Sequence, residues 1–168
     1  MSGETPALRR RLFSLIYEGV LLFGVVFIAA YLYSALTQFR GHSATPLYYG
    51  FQFAIFVAIG LYFVLCWRTS GQTLPMKTWK LRLASTIGTR PSLARCWGRY
   101  AFAWIGPLSG LVAYKSIVLL SSVGMSRFSP TAFLLCLPFF ALNFLWALGD
   151  RDRQFLHDRL AGTRLVTV

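Results

Sequence analysis

The sequence is poor in charged residues, and poorest in acids. Only 13% of its 168 residues are charged and only five are Asp or Glu, whereas a typical soluble domain carries about 25% charged residues. With 56% hydrophobic residues and a mean hydropathy of +0.56, the chain has too little polar surface to cover a globule in water. This composition argues against a soluble enzyme, and its hydrophobicity excludes intrinsic disorder.

Cysteine and histidine are also scarce, with three and two residues respectively. Three cysteines are too few for a disulfide scaffold, and they share no spacing typical of metal ligands. No nucleophile has a base beside it, and no phosphate-binding loop is present. We therefore expect no metal, no cofactor and no enzymatic activity, and we interpret His157 beside Asp158 as a structural hydrogen-bonding pair.

Long apolar runs make up most of the sequence. A bilayer core about 30 Å thick takes about 20 apolar residues as a helix, and four runs reach that length. We predict an all-α integral membrane protein, one domain over residues 1–168, with four transmembrane helices at about 12–36, 47–67, 100–123 and 131–149. The segments 37–46 and 124–130 are predicted to be turns, 68–99 a longer loop and 150–168 a tail.

The basic residues indicate the orientation of these spans. Of the 17 Lys and Arg residues, fourteen lie in the N-terminal segment, the 68–99 loop and the tail, Lys115 lies inside the third predicted span, and only Arg40 and Arg127 lie in the two turns. The positive-inside rule then places both termini and the loop in the cytoplasm. Because this distribution already accounts for the net charge of +12, we expect no nucleic-acid binding, and we expect contact with anionic lipid headgroups on the cytoplasmic side.

Two cytoplasmic segments have the pattern of β-strands. Trp79, Leu81 and Leu83 alternate with basic residues, and the chain ends in a β-prone run at 163–168. Unpaired strand edges are unfavourable, so we predict that about 79–84 pairs with about 163–168 as a small cytoplasmic β-strand pair.

A helix is predicted to begin at Ser92, which follows Pro91 and has the residue type of an N-cap. Arg95 and Arg99 then lie one turn apart on it. From Ser92 to the end of the third span a straight helix would measure about 47 Å, so we expect a bend near Gly106–Pro107 or an interfacial first section.

Several polar residues fall inside the predicted spans, where ionisable groups cost about 2.5–3.5 kcal/mol. They form two stripes at the spacing of one helix face: Arg11, Ser14 and Glu18 on the first span, and Asn143, Ala147 and Asp150 on the fourth. Glu18 and Asn143 each lie about 9 Å inside the cytoplasmic boundary. Antiparallel packing of the two helices would pair Glu18 with Asn143, Ser14 with Ala147 and Arg11 with Asp150.

Glu18 admits two interpretations. The stripe could serve only to join helices, since interhelical hydrogen bonds contribute about 0.6 kcal/mol each. Alternatively, Glu18 is a titratable site on a proton or ion path. The residues concerned are Arg11, Glu18, Asn143, Asp150 and Asp158, with Ser14, His157, Arg95 and Arg99 as supporting groups.

Three stretches carry a resemblance to a known family. They are Arg11-Leu12 with an intramembrane acid seven residues after the arginine, Ser70-Gly71-Gln72-Thr73 running into 77–84, and the ending from Arg153 through His157-Asp158-Arg159 to Thr163. Together they resemble the RDD family of small bacterial membrane proteins, named for one arginine and two aspartates. In this resemblance Arg11 matches the arginine and Asp158 the second aspartate, whereas Glu18 replaces the first. Leu74-Pro75-Met76 also stands where the family usually has a Gly-Lys pair.

The resemblance implies a multi-pass protein of the bacterial cytoplasmic (inner) membrane, loosely associated with transport. We expect a small transporter or an ion- or proton-coupled membrane protein that uses Glu18. A homo-oligomer is expected because four helices alone enclose little room for a path. The alternative is a non-catalytic membrane scaffold or assembly partner for another membrane protein.

Overall fold

The chain is mostly helical, with one small sheet. In this computed structural model the described residues are 5–41, 46–86, 90–120 and 130–168. Within them eight helices and two strands follow in the order α1 (Leu8–Thr37), α2 (Pro46–Thr69), α3 (Leu74–Thr78), β1 (Leu81–Ser85), α4 (Leu93–Ala103), α5 (Ile105–Leu120), α6 (Pro130–Phe140), α7 (Leu142–Gly149), α8 (Leu156–Ala161) and β2 (Thr163–Thr167). The strands pair with each other, which confirms the predicted strand pair.

Three helical segments in the described residues are long and apolar enough to cross a membrane: α1, α2, and α4 with α5 taken together. A fourth is added if α6 and α7, which meet at 48°, count as one broken span. The first two extend beyond the predicted spans by one to four residues at each end. The third begins seven residues earlier than predicted, while its predicted end at 121–123 and the turn residues 42–45 and 124–129 lie outside the described residues.

Helix α1 has the reverse of the burial pattern of a soluble helix. Its apolar side chains are exposed, including Phe23 at 74% and Leu36 at 83%. Its buried side chains are Arg11, Ser14 and Glu18, the three residues predicted to share one stripe. A surrounding solvent that is itself apolar accounts for this pattern, because lipid solvates the exposed face and excludes the polar one.

Two compact units divide the chain, and the first comprises residues 1–97 and 165–168. In it α1 and α2 pack together, and α3 packs on α1. Strand β1 buries Leu81 and Leu83 and exposes the residue between them, as the alternation predicts. The turn before α3 supports this strand, because the carbonyl oxygen of Gly71, at a φ of +72°, accepts a 2.8 Å hydrogen bond from the Leu83 N–H, and Gln72 Nε2 donates to the Leu81 carbonyl at 2.6 Å.

The second unit comprises residues 98–164. In it α5 and α6 approach closely at two glycines: a Cβ on Gly106 would lie 2.7 Å from the Phe140 carbonyl oxygen, and one on Gly110 would lie 2.5 Å from the Phe140 ring. Regular helix is interrupted at Trp104, shortly before the predicted bend. Helix α8 ends at Ala161, and the next residue, Gly162, is its C-cap in the left-handed conformation, with a φ of 63°.

Candidate functional site

Glu18 of α1 is held by two hydroxyl groups. Tyr62 of α2 donates a hydrogen bond to Glu18 Oε1 at 2.6 Å, and Thr73 donates to Glu18 Oε2 at 2.5 Å. The glutamate is only 5% exposed. Each carboxyl oxygen therefore has a protein donor, one from a candidate span and one from the segment that follows it.

Local structure places the Thr73 hydroxyl. Thr73 is the N-cap of α3, and its Oγ1 accepts a 3.4 Å hydrogen bond from the Met76 N–H. A hydroxyl has one proton to donate and two lone pairs to accept with, so the same oxygen can cap α3 and still donate to Glu18. Pro75 in the first turn favours a helix start there, since its missing N–H would have no helical partner in any case.

This arrangement suits proton exchange chemically. A carboxylate in a span is costly, and two hydrogen bonds to its oxygens offset part of that cost. Hydroxyls can donate in one orientation and accept in another. Tyr62 and Thr73 can therefore serve either the ionised or the neutral form of Glu18.

Asp158 of α8 forms a second buried cluster. Arg99 Nε donates to Asp158 Oδ1 at 2.6 Å, and Thr163 Oγ1 donates to the same oxygen at 3.2 Å. Asp158 is fully buried. Burial alone would raise its pKa, but the charge of Arg99, assisted by His157 and by the hydrogen bonds from Arg99 and Thr163, brings the pKa below the usual 3.8. Asp158 is therefore ionised at neutral pH and paired with an arginine.

The structure corrects the expectation for His157. Its Nε2 lies 3.8 Å from Asp158 Oδ2, which is too long for a hydrogen bond. Burial lowers the pKa of His157 from 6.5 to about 4; the attraction of Asp158 opposes this shift, and the charge of Arg99 adds to it. The ring is thus neutral at pH 7, and it stacks on Phe155 with a centroid separation of 5.6 Å. The predicted hydrogen bond is therefore absent: Arg99 and Thr163 bind Oδ1 of Asp158, and His157 lies near Oδ2 but beyond hydrogen-bonding distance.

Asn143 of α7 compensates for a missing backbone hydrogen bond. Proline has no N–H, so Pro107 cannot donate to the carbonyl of Ala103 four residues earlier. The Asn143 side chain donates to that carbonyl from Nδ2 at 2.8 Å. Asn143 is 2% exposed, in surroundings where an unsatisfied carbonyl would be costly. Its amide N–H₂ group is therefore engaged in holding α7 to the end of α4.

Arg11 and Ser14 are buried on the same face of α1 as Glu18, at 1% and 5% exposure. Arg95, by contrast, lies in the first turn of α4 and makes contacts there. Its backbone N–H donates to the Ser92 hydroxyl at 3.3 Å, which confirms the predicted N-cap, and its guanidinium donates to the hydroxyl of Ser85.

Asp150 organises the turn between α7 and α8. Its Oδ2 accepts hydrogen bonds from the backbone N–H groups of Asp152 at 3.1 Å and Gln154 at 2.9 Å. Its Oδ1 lies 3.5 Å from Arg159 Nε. The pairings of α1 with α7, from Arg11–Asp150 to Glu18–Asn143, remain predictions.

The family comparison covers nearly the whole chain. The model described as the RDD family matches residues 5–162, a range that contains the α1 stripe, the Glu18 cluster and the Asp158 cluster. The chain belongs to the RDD family. No curated protein and no solved structure matches it significantly.

In this RDD protein, the three residues that the resemblance assigns to the family's named positions are all buried. Arg11 and Glu18 share one face of α1, and Asp158 lies in the cluster with Arg99 and Thr163. The loop stretch that carries the resemblance includes Thr73, the residue that donates to Glu18. This loop is thus part of the environment of Glu18.

Sequence reasoning did not identify Tyr62 and Thr73 as partners of Glu18. A tyrosine inside an apolar span gives no signal of its own, because such residues are common near membrane interfaces. Thr73, in contrast, could have been recognised as a helix N-cap, because a threonine two residues before a proline is typical of a helix start. Among the described residues, no group of three His, Cys, Asp or Glu side chains could hold a metal ion.

Proposed function

We propose that this RDD protein spans the bacterial cytoplasmic membrane four times and transports protons or small ions along a path that includes Glu18. The observation that carries the proposal is the environment of this acid. It is buried in a candidate span, and both of its oxygens accept hydrogen bonds from hydroxyl groups. Hydroxyls can reverse their hydrogen-bonding direction, so they can bind Glu18 both with and without a proton.

The proposed orientation has both termini in the cytoplasm, with α6 and α7 acting as one broken span. The distribution of Lys and Arg supports it. This orientation puts Glu18 near the cytoplasmic end of α1 and the basic segments against anionic headgroups. We also propose that the protein forms a homo-oligomer, since one copy encloses little room for a path, and that it catalyses no reaction.

A second candidate is a non-catalytic scaffold for another membrane protein. The same contacts favour it, because Tyr62 and Thr73 join three segments of the chain through one carboxylate. In that case Glu18 contributes stability only, and removal of its charge would change assembly rather than flux.

Flux measurements in proteoliposomes separate the two candidates. Purified protein is reconstituted with a pH-sensitive dye inside, and proton flux is followed after a pH step, with sodium or potassium present or absent. We expect Glu18→Gln to abolish flux while the variant remains folded. Tyr62→Phe should reduce flux about 10- to 100-fold, because a hydrogen bond to a charged group contributes about 1.5–3 kcal/mol and each 1.4 kcal/mol is a factor of about ten.

The matched control is Asp152→Asn, which removes an acid whose side chain is 58% exposed and distant in sequence from the site. It should leave flux unchanged. Wild-type flux in Glu18→Gln at every pH would reject Glu18 as part of the path. An absence of flux in the wild type, with lower thermal stability in Glu18→Gln, would support the scaffold.

A further inference from the structure

Helix α3 lies beside the part of α1 that enters the membrane. Its N-cap, Thr73, contacts Glu18, and Trp79, just after its last residue, stacks on Phe13 with a centroid separation of 5.3 Å and an interplanar angle of 13°. Tyr17 contacts the same indole edge-on at 6.2 Å. The segment 73–79 therefore runs along α1 in the opposite direction, from Glu18 back to Phe13.

The lengths agree with this placement. From Thr73 to Trp79 a helical segment rises about 9 Å, and from Phe13 to Glu18 α1 rises about 7.5 Å. If the hydrocarbon region begins near Leu12, Glu18 lies about 9 Å inside it. Its side chain leans back toward the helix N-terminus, so the carboxylate is somewhat shallower than its backbone, but still inside the boundary.

The exposed residues of this segment suit lipid. Leu74 follows the residue that contacts Glu18 and is 64% exposed, whereas Pro75 and Met76 are buried against the protein. Lys77 and Lys80 are exposed nearer the boundary. No acidic residue occurs anywhere between Glu18 and Asp150, so the segment itself contains no carboxylate that could pair with these lysines. The phosphate groups of lipids have the charge that complements them.

We infer that α3 is a membrane-inserted anchor: Leu74 contacts the acyl chains of the cytoplasmic leaflet, Trp79 lies at the interface, and Lys77 and Lys80 bind the phosphates of anionic headgroups. This inference rests on the proposed spanning of the membrane by α1. It places part of the 68–99 loop in the leaflet rather than in the cytoplasm. Thr73 is the N-cap of this helix and donates a hydrogen bond to Glu18. The hydroxyl of Thr73 therefore connects the proposed anchor to Glu18.

Spin labels on the full-length protein test this in vesicles of phosphatidylethanolamine and phosphatidylglycerol. Labels are placed one at a time through Leu74→Cys, Val20→Cys and Arg82→Cys in a Cys66→Ala background. The other two cysteines are 0% exposed and do not label. A spin label in lipid collides frequently with dissolved oxygen, whereas a label in water collides frequently with a water-soluble nickel complex. Val20 is the lipid reference, since it is a 71% exposed residue of α1, and Arg82 on β1 is the water reference.

We expect the ratio of oxygen to nickel collisions at position 74 to match position 20 and to exceed that at position 82. A ratio at 74 equal to that at 82, with 20 still in lipid, overturns the anchor and leaves the proposed function standing. A water-like ratio at position 20 instead contradicts the spanning of α1, and with it the proposed function. A label at 74 shielded from both reagents indicates a second copy of the chain and also overturns the lipid assignment.

The headgroup contact has its own readout. In vesicles of phosphatidylcholine alone, the ratio at position 74 should shift toward water, and Lys77→Gln with Lys80→Gln should remove that dependence on lipid charge. An unchanged ratio in the two lipid mixtures would reject the role assigned to the lysines.

Discussion

Acidification from pH 7 to pH 5 should destabilise this protein through His157. The ring is 6% exposed and its pKa falls from 6.5 to about 4 on folding. Between these values the unfolded chain binds a proton that the folded chain does not, so stability falls as the pH decreases through this window. From pH 7 to pH 5 the loss works out at about 2 kcal/mol. Asp158 stays ionised over this range, because its pKa lies below 3.8.

The measurement is reversible unfolding in mixed micelles, followed by circular dichroism at both pH values. His157→Phe is the matched variant, since it keeps an aromatic ring against Phe155 and removes the titrating group. The variant should lose about 2 kcal/mol less than the wild type on acidification. An equal loss in both proteins would refute the assignment of this pH dependence to His157.

Three further predictions concern the buried contacts of the second unit. Asp158→Asn should lower the free energy of unfolding by about 3–5 kcal/mol, because it leaves the charge of Arg99 buried without its carboxylate; the double variant with Arg99→Met should recover part of this loss in the same assay. Asn143→Leu should cost about 1–3 kcal/mol by leaving a carbonyl unsatisfied, and a second change of Pro107→Ala, which restores a backbone donor, should reduce that cost in a double-mutant cycle. Gly110→Ala should lower the melting temperature, with a cost of about 1–3 kcal/mol from overpacking against an aromatic ring, whereas Gly149→Ala, with open space around it, should not.

Much of the helical architecture follows from the sequence, because apolar length is a direct physical requirement of a bilayer. Residues Arg11, Ser14 and Glu18 could be assigned to one face from their spacing, and they are the buried residues of α1. Leu81 and Leu83 could likewise be assigned to the buried face of a strand. In each case a single period, 3.6 or 2, relates the residues to one surface.

Contacts that depend on where a loop folds back could not be predicted in this way. The sequence places Thr73 in a loop between two spans, and only the packing of α3 on α1 brings it to Glu18. The break between α6 and α7 was also missed, although Pro138 in the last turn of α6 is a signal of helix interruption. For His157, adjacency in sequence suggested a hydrogen bond to Asp158, but the backbone of α8 holds Nε2 3.8 Å from Oδ2, which is too long for one.

The sequence predicts similar membrane depths for Glu18 and Asn143, but the contacts of the two residues are of different kinds. The Asn143 amide donates to a backbone carbonyl that proline leaves without a partner, and a backbone carbonyl neither gains nor loses a proton in function. Glu18 accepts hydrogen bonds from two hydroxyls, which can exchange donor and acceptor roles with a carboxyl group or with water. Replacement of the asparagine should therefore change stability at all pH values alike. Replacement of the glutamate should change whatever depends on proton occupancy, and the two variants measured side by side separate helix packing from ion chemistry within one membrane domain.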